Sequence, residues 1–302
     1  MTPAPSVQAA PTVHVIGATG RTGFALCRRL RAEGIAFVPV VRSGERWAAL
    51  GMRIEPRVAD LRDEAALRSA LAGATRIVSC AHARFVPEIL AAAPPSARLV
   101  LLGSTRKFSR WPDEHGSAVL AGERAFLASG RAGVMLHPTM IYGAEGEANV
   151  QPLAALLRRL PLVPLPKGGR ALVQPIHQDD VTRCICAALE RDWTGPSTLV
   201  IAGPEAMRYA DFVRAIAAAA GLGRRPIVCA PAWLLMALAR VAAIVPGLPC
   251  IEADAIRRLL EDKAFDIAEM RRLLRIEPIS FSAGLQRTFD GRSPRSGRTE
   301  AS

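Results

Sequence analysis

The chain has 302 residues, a formal net charge of +12 and 50% hydrophobic residues, which excludes a disordered protein and allows one or two domains with a sizeable core. Nearly all of the positive charge is arginine, because only three lysines occur: Lys107, Lys167 and Lys263. The arginines are spread along the chain and aromatic residues make up only 5%, which argues against a nucleic-acid-binding surface. The arginine excess is compatible with an anionic ligand or an anionic membrane surface.

The predicted compartment is the cytoplasm. Residues 1–11 form a Pro- and Ala-rich tail without the basic start and apolar core of a secretory signal. The six cysteines are scattered, and we predict reduced, mostly buried thiols rather than disulfides or a metal site. The tail at 1–11 and the polar segment 291–302 are predicted to be disordered.

Strand and helix patterns alternate through the first two thirds of the chain. The predicted strands are 13–16, 36–41, 53–58, 76–80, 97–103 and 133–137. The predicted helices between them are 21–33, 45–50, 64–71, 85–92 and 118–129. Continuous apolar strands that alternate with amphipathic helices predict an α/β fold with a doubly wound, Rossmann-like parallel sheet.

After residue 143 the pattern loosens. Predicted elements are a helix at 150–160, a Pro-rich stretch at 161–167, a strand at 171–176, a helix at 179–190, a strand at 198–201 and helices at 209–220, 233–245, 252–260 and 267–274. We predict a dinucleotide-binding domain at 12–205, with 143–176 contributing to a second lobe, and a smaller, mostly helical lobe at 206–290. The apolar stretch 233–245 is too short to span a bilayer. It favours a core or lobe-packing helix, and a helix in a membrane interface remains open.

A glycine-rich segment directly follows the first predicted strand. Gly17, Gly20 and Gly23 stand at three-residue spacing before an apolar-faced helix. In a dinucleotide site the first glycine makes the tight turn, the second lets the backbone approach the phosphates, and the third lets helix and strand pack closely. The helix N-terminus adds N–H groups and the positive end of its dipole. The segment is therefore predicted to hold a pyrophosphate, with contacts from Gly17, Thr19, Gly20, Arg21, Thr22 and Gly23.

Several motifs together resemble the short-chain dehydrogenase/reductase superfamily, in its extended and atypical branches. They are Gly17-Ala-Thr-Gly-Arg-Thr-Gly23, Arg42, Val58-Ala-Asp-Leu61, His137-Pro-Thr-Met-Ile-Tyr-Gly143, Gln174-Pro-Ile-His-Gln-Asp-Asp-Val181 and Ile201-Ala-Gly-Pro204. The segment from Asp262 to Leu285 also looks like the end of nucleotide-sugar epimerases. The resemblance spans about residues 12–290, and the chain also looks like the nucleotide-binding accessory subunit of respiratory complex I and NmrA-like proteins. It implies an NAD(P)-binding fold with oxidoreductase or epimerase/dehydratase-like chemistry.

The residues after the second strand predict the cofactor. NAD-specific sites usually place an acidic residue there, whereas this chain has Arg42 and Ser43, with Arg46 nearby. Guanidinium groups suit the 2′-phosphate of NADP, so we predict NADP over NAD, although a solvated loop charge would also explain Arg42. The resemblance places Asp60 and Leu61 at the adenine, where Asp60 could instead cap the next helix. It also implies cofactor contacts from Ala81 and Pro138.

The catalytic pair of the superfamily, Tyr-x-x-x-Lys, is absent, because neither Tyr142 nor Tyr209 is followed by a lysine four residues later. The resemblance places Ser104 at the catalytic hydroxyl and His115 at the position of the missing tyrosine, with Lys107 close by. A histidine can donate a proton near neutral pH. We therefore expect His115 or Lys107 to point into the cleft beside Ser104. The alternative is a capping hydroxyl, a surface charge and a solvated imidazole.

The leading hypothesis is thus an NADP-dependent oxidoreductase or epimerase-like enzyme acting on a small or lipid-linked substrate. The alternative is a non-catalytic cofactor-binding scaffold or redox sensor. Peripheral contact with a membrane is a weaker hypothesis, and the oligomeric state stays open. No metal is predicted, because His177, Asp179 and Asp180 lack a fourth ligand.

Overall fold

The computed structural model describes residues 12–143, 147, 149–242 and 253–290. The predicted disordered tails, the end of the predicted helix 233–245 and Cys250 lie outside the described residues.

The strands are, in chain order, β1 (Val13–Ile16), β2 (Phe37–Val41), β3 (Arg57–Val58), β4 (Arg76–Ser79), β5 (Arg98–Leu102), β6 (Gly133–Pro138), β7 (Ile141–Tyr142), β8 (Val163–Pro166), β9 (Leu172–Val173), β10 (Ile176–His177), β11 (Pro196–Ile201), β12 (Met207–Arg208) and β13 (Ile227–Ala230). The helices are α1 (Arg21–Ala32), α2 (Gly44–Ala49), α3 (Glu64–Ala70), α4 (Val86–Ala92), α5 (Glu114–Ala128), α6 (Val150–Arg159), α7 (Gln178–Glu190), α8 (Tyr209–Ala219), α9 (Ala232–Ala242), α10 (Ala253–Arg258), α11 (Ala268–Leu274) and α12 (Phe281–Asp290).

A seven-stranded parallel sheet forms the centre of the fold, in the order β11-β6-β5-β4-β1-β2-β3. The predicted doubly wound α/β fold is therefore confirmed. Strand β1 lies between β2 and β4, so the chain changes direction across the sheet at this point. In open parallel sheets, ligands bind at the carboxyl ends of the strands beside such a switch point.

Apolar side chains of the sheet and its helices form the core. Ile77, Leu99 and Leu101 of the central strands are fully buried against Phe126 of α5 and belong to one hydrophobic cluster. His14 of β1 is a buried exception, and its pKa is lowered by desolvation and by the positive charge of Arg57. The continuous apolar character of the strands follows from their burial under helices on both faces.

The chain divides into two compact units. The first, the sheet unit, contains β1–β6, α1–α5, α7, β11 and α11. The second, the small unit, contains β7–β10, β12, β13, α6, α8–α10 and α12. The helical C-terminal region that the sequence predicts is present, and among the described residues of the small unit there are also three two-stranded pairs, β7–β10, β9–β12 and β8–β13.

Two elements differ from their predicted bounds for identifiable reasons. Helix α5 begins at Glu114 rather than at residue 118, because the Asp113 carboxylate accepts the Gly116 N–H at 2.7 Å and caps the helix. The predicted strand 53–58 is reduced to β3, because the Trp47 indole N–H donates to the Ile54 carbonyl at 2.7 Å. Within the described ranges, we find no helix with the length and apolar character needed to cross a bilayer.

Candidate functional site

The glycine segment forms a tight cradle between β1 and α1. Gly17 has φ +75°, and a Cβ at this position would come within 3.1 Å of the Ala81 backbone nitrogen. A Cβ at Gly23 would meet the Gly17 carbonyl oxygen at 2.2 Å, so helix and loop touch backbone to backbone. A Cβ at Gly20 would meet only the Gly17 oxygen, at 3.2 Å. The fold therefore requires glycine at positions 17 and 23. At Gly20 the missing side chain leaves open space at the N-terminus of α1.

The N-terminus of α1 is suited to an anion. Its N-cap is Gly20, which has no side chain to accept the first backbone N–H groups, and its first turn carries no acidic residue. Arg21 in the same turn is exposed. Helix N-termini attract phosphates through their N–H groups and the dipole, so this cradle fits a dinucleotide pyrophosphate.

A cleft of about 180 Å³ lies at the carboxyl ends of β1 and β2. It brings together six of the predicted cofactor residues: Gly17, Thr19, Arg42, Ser43, Asp60 and Leu61. Its other lining residues are Ile16, Val40, Val41, Arg46, Ala59 and Phe85. The cleft combines two arginines and an apolar floor, which matches what a phosphorylated adenosine needs.

The polar rim of this cleft is ordered by local hydrogen bonds. The Ser43 hydroxyl accepts the Arg46 N–H at 3.2 Å and caps α2. The Asp60 carboxylate accepts the Arg62 N–H at 2.9 Å, whereas Asp63 caps α3. Asp60 is therefore not the helix cap that the sequence left open as its alternative role, and its exposed carboxylate lines the cleft.

Phe85 is a wall of the cleft that the sequence analysis missed. It lies in a short 3₁₀ turn after β4, with the Arg84 guanidinium 4.8 Å from its ring centroid. The contact of Gly17 with Ala81 places the segment after β4 beside the glycine loop. That neighbourhood follows from the strand order, which the sequence alone does not give.

The remaining predicted cofactor residues are not among those that line the cleft. They are Gly20, Arg21, Thr22 and Gly23 at the start of α1, Ala81 after β4 and Pro138 at the end of β6. The Pro138 carbonyl accepts the Thr105 hydroxyl at 3.2 Å, which ties the end of β6 to the turn after β5.

A buried polar cluster follows β5 and β6. The Lys107 ammonium lies 2.5 Å from the Glu123 carboxylate of α5 and 3.3 Å from Nε2 of His137. The Lys107 and Glu123 side chains are only 7% and 14% exposed. Lys107 is thus the cation of a buried ion pair rather than a surface charge.

Hydrogen bonds fix the tautomer of His137. Its Nδ1 accepts the Ser104 backbone N–H at 3.2 Å, so the ring proton resides on Nε2, which lies 3.2 Å from Glu123 Oε2. Burial, together with the nearby Lys107 ammonium, lowers the pKa of His137 to about 3. His137 is therefore a neutral, buried imidazole at neutral pH at the end of β6.

Ser104 is the first residue after β5 that carries a hydroxyl. Its oxygen accepts the Arg106 N–H at 3.1 Å and caps the 3₁₀ turn Thr105–Phe108. This is the capping role that the sequence analysis left open. In this hydrogen bond the Ser104 oxygen is the acceptor, so the bond does not use the hydroxyl proton.

His115, in the first turn of α5, is paired with His82, which the sequence analysis did not single out. His82 Nε2 and His115 Nδ1 are 3.0 Å apart, and the two rings meet edge to face with centroids 4.5 Å apart. His82 Nδ1 accepts the Arg84 N–H at 3.1 Å. The proton of His82 therefore lies on Nε2 and is donated to His115 Nδ1, which leaves the His115 proton on Nε2.

This arrangement makes the pair electrically neutral. Both lone-pair nitrogens, Nδ1 of His82 and Nδ1 of His115, already accept hydrogen bonds, so adding a proton to either ring breaks one of them. Desolvation and the positive charge of Arg84 also lower the pKa of His82. In this hydrogen-bonding pattern His115 accepts at Nδ1 and carries its proton on Nε2.

Comparison with known proteins agrees with this geometry. Residues 17–108 match the model of an NAD(P)H-binding family. No curated protein matches the sequence. An NADPH-dependent quinone oxidoreductase from Escherichia coli, complexed with NADPH, aligns with a TM-score of 0.71 and 18% identity over 92% of this chain and 99% of that chain.

Two further solved structures are nucleoside-diphosphate-sugar epimerases. The one from Staphylococcus aureus has a TM-score of 0.71 and 19% identity over 91% of this chain and 99% of that chain. The one from Pseudomonas aeruginosa has a TM-score of 0.70 and 21% identity over 93% of this chain and 97% of that chain. At these identities the likeness shows the fold. Residues 17–108 therefore match an NAD(P)H-binding family, and along nearly its whole length the chain shares the fold of these epimerases and of the quinone oxidoreductase.

Proposed function

We propose that the protein is an NADP-dependent oxidoreductase of the short-chain dehydrogenase/reductase type. The observation that carries the preference for NADP is the pair of arginines, Arg42 and Arg46, that lines the cleft at the end of β2. No acidic residue follows this strand directly, so the usual acceptor for the 2′-hydroxyl of NAD is replaced by positive charge. A guanidinium binds a phosphate through charge-assisted hydrogen bonds, which favours the 2′-phosphate of NADP.

The adenosine part of the cofactor would fit the rest of the same cleft. Asp60 offers a carboxylate to the adenine amino group, and Leu61 and Phe85 offer apolar walls for the ring. The pyrophosphate would lie over Gly20 and the N-terminus of α1.

The reacting end lies with the residues after β5 and in the first turn of α5. When bound, the cofactor supplies a hydride to the carbonyl carbon of a small or lipid-linked substrate. The Ser104 hydroxyl and the His115 Nε2–H are the two donors that we assign to the substrate oxygen. As a neutral imidazole, His115 polarises this oxygen by hydrogen bonding, and water provides the final proton. Lys107 orders the turn beside Ser104 through its ion pair with Glu123.

A second candidate function is a non-catalytic cofactor-binding module. The resemblance that places His115 at the tyrosine position puts Val119, four residues later, at the position of the family's catalytic lysine. The supporting observation is that Val119 is buried and apolar. The single lysine of this region, Lys107, is already paired with Glu123. Such a module would bind NADPH tightly without turning over a substrate.

Calorimetric titration with NADPH and with NADH tests the cofactor assignment. We expect the wild type to bind NADPH more tightly than NADH. Arg42→Ala should weaken the binding of NADPH by about 1–3 kcal/mol and leave the binding of NADH nearly unchanged. Arg28→Ala, an exposed arginine on α1 outside the cleft, is the matched control and should bind both as the wild type does. Equal affinity for both nucleotides, or binding of neither, would overturn the NADP assignment.

Turnover separates the two candidate functions. NADPH oxidation is followed with a panel of aldehydes, quinones and nucleotide sugars, for the wild type, Ser104→Ala and His115→Ala. Turnover that both substitutions reduce, with NADPH affinity unchanged, supports the enzyme. Tight NADPH binding without turnover across the panel supports the non-catalytic module.

A further inference from the structure

The small unit carries a concentration of exposed apolar side chains on β13, on helix α9 and directly before β8. Trp233 is 68% exposed and Leu238 55% exposed, although both belong to a well-formed helix. The other members of this set, which we name the α9 face, are Leu162, Val228 and Leu234. Strands β8 and β13 pair in parallel, and α9 packs on β8, so the set belongs to one local structure.

Two chain segments of this structure carry positive charge and no acidic residue, whereas α10, which also packs on α9, carries Asp254 together with Arg257 and Arg258. Residues 150–178 and 212–242 contain eight basic residues: Arg158, Arg159, Lys167, Arg170, Arg214, Arg224, Arg225 and Arg240. Elsewhere in the chain, basic and acidic residues are mixed. Arg214 pairs with Asp211, which lies just outside the second segment.

Part of this charge belongs to the same local structure as the apolar set. Lys167, Arg170 and Arg214 line one cleft together with Ile227 and Cys229 of β13. Val228 lies between these two strand residues, so its exposed side chain points to the opposite face of β13. On α9, the exposed Arg240 stands seven residues after Trp233, which places a positive charge on the same side of the helix as the indole ring.

This combination matches one kind of partner. A helix with an exposed Trp and Leu face and basic surroundings is favoured at the boundary between lipid headgroups and acyl chains, where the indole ring prefers to lie. With 11 residues, α9 is about 16 Å long, which is roughly half of the hydrocarbon thickness. This described length is enough for the helix to lie in the plane of the interface.

We propose that the α9 face docks the protein on an anionic phospholipid surface. The basic residues bind the acidic headgroups, and Trp233, Leu234 and Leu238 enter the interface. Uncharged membranes lack the electrostatic part of this attraction, so binding should depend on lipid charge and on ionic strength.

Vesicle flotation tests the proposal with the full chain. Vesicles of phosphatidylcholine alone are compared with vesicles that contain phosphatidylglycerol, each at low and high salt. We expect the protein to float with the anionic vesicles at low salt, and much less at high salt or with phosphatidylcholine alone. Protein that stays in the soluble fraction with anionic vesicles at low salt overturns the proposal.

A matched pair of double variants locates the surface. Trp233→Ser/Leu238→Ser should reduce the bound fraction at least tenfold. Leu120→Ser/Leu127→Ser, which removes two leucines of α5 that are 41% and 44% exposed in the sheet unit, should bind as the wild type does. Arg224→Glu, which leaves the apolar side chains in place, should also weaken binding to the anionic vesicles.

Two controls distinguish membrane docking from misfolding of the variants and from dimerisation. Circular dichroism and thermal unfolding show whether each variant keeps the wild-type fold, and Arg224→Glu remains informative if the apolar variant does not. Sedimentation equilibrium shows whether the α9 face joins two copies of the chain. A dimer that Trp233→Ser/Leu238→Ser dissociates, without charge-dependent flotation, would replace the membrane proposal with a homodimer interface.

Discussion

Gly20→Ala is expected to abolish most dinucleotide binding while leaving the fold intact. Gly20 has φ −76° and ψ 162°, which alanine adopts without strain. The added methyl would meet only the Gly17 oxygen, at 3.2 Å, so the loss of stability should stay below about 1 kcal/mol. The same methyl fills the space above the α1 N-terminus that we assign to the pyrophosphate. A loss of affinity of at least about 1.4 kcal/mol, or tenfold, should follow.

Gly23→Ala provides the contrast. Its Cβ would lie 2.2 Å from the Gly17 oxygen and 2.8 Å from the Gly17 carbonyl carbon. Normal contacts between nonbonded heavy atoms are about 3.5 Å, so the backbone must move by about 1 Å. Overpacking of this kind costs about 1–3 kcal/mol or more, because the clash is with backbone and no side chain can rotate away. This variant should lose stability and binding together.

Urea unfolding and calorimetric titration with NADPH measure the two effects separately. Gly34→Ala is the control for backbone strain, since Gly34 has φ +69° but nothing within 4 Å of a built Cβ. It should lose about 1 kcal/mol of stability and no affinity. Wild-type NADPH affinity in Gly20→Ala would refute the placement of the pyrophosphate. Wild-type stability in Gly23→Ala would refute the close packing of helix and loop.

Three further outcomes test the polar contacts around Ser104 and His115. Glu123→Gln should destabilise the protein by up to about 3–5 kcal/mol in urea unfolding, because it leaves the buried Lys107 ammonium without its carboxylate. Replacing both partners, as Lys107→Met/Glu123→Leu, should recover most of this loss. The pKa of His137 lies near 3 in the folded state and near 6.5 in the unfolded state, so the unfolded state binds the proton more readily and stability falls as the pH drops below 6.5. The free energy of unfolding should change by up to about 1.4 kcal/mol per pH unit in this range, and His137→Gln should reduce this dependence on pH. Nitrogen-15 spectra at pH 7 should show neutral His115 with its proton on Nε2, and His82→Phe should release this preference; a protonated His115, or an unchanged tautomer in the variant, would contradict the pairing.

The parallel sheet and the glycine cradle could be predicted because their signals are local and strong. The fully buried strands are continuous apolar runs, and the glycine spacing reports the backbone contact between Gly23 and Gly17 directly. The cluster of Arg42, Ser43, Asp60 and Leu61 also followed from the sequence, because each residue stands at the end of a predicted strand.

The parts that could not be predicted depend on contacts between distant residues. His82 and His115 are 33 positions apart, and neither residue has a local pattern that marks the other as its partner. The three two-stranded pairs of the small unit mostly join strands of only two residues, which are too short to show an alternating pattern. The start of α5 was missed because Asp113, its cap, stands five residues before the first strongly apolar stretch, which begins at Ala118.

The hydrogen bonds of the two histidine systems limit the chemistry that the site can perform. His137 accepts the Ser104 N–H, and the His82–His115 pair uses both of its lone-pair nitrogens as acceptors. Each ring is therefore stabilised in its neutral form, and the Lys107 ammonium is paired with Glu123. A reaction that needed a strong acid beside Ser104 would have to break one of these contacts first. Under the proposed function, hydride transfer to a carbonyl that is only polarised by neutral donors requires no such break, so these hydrogen bonds are compatible with a reduction in which water supplies the proton.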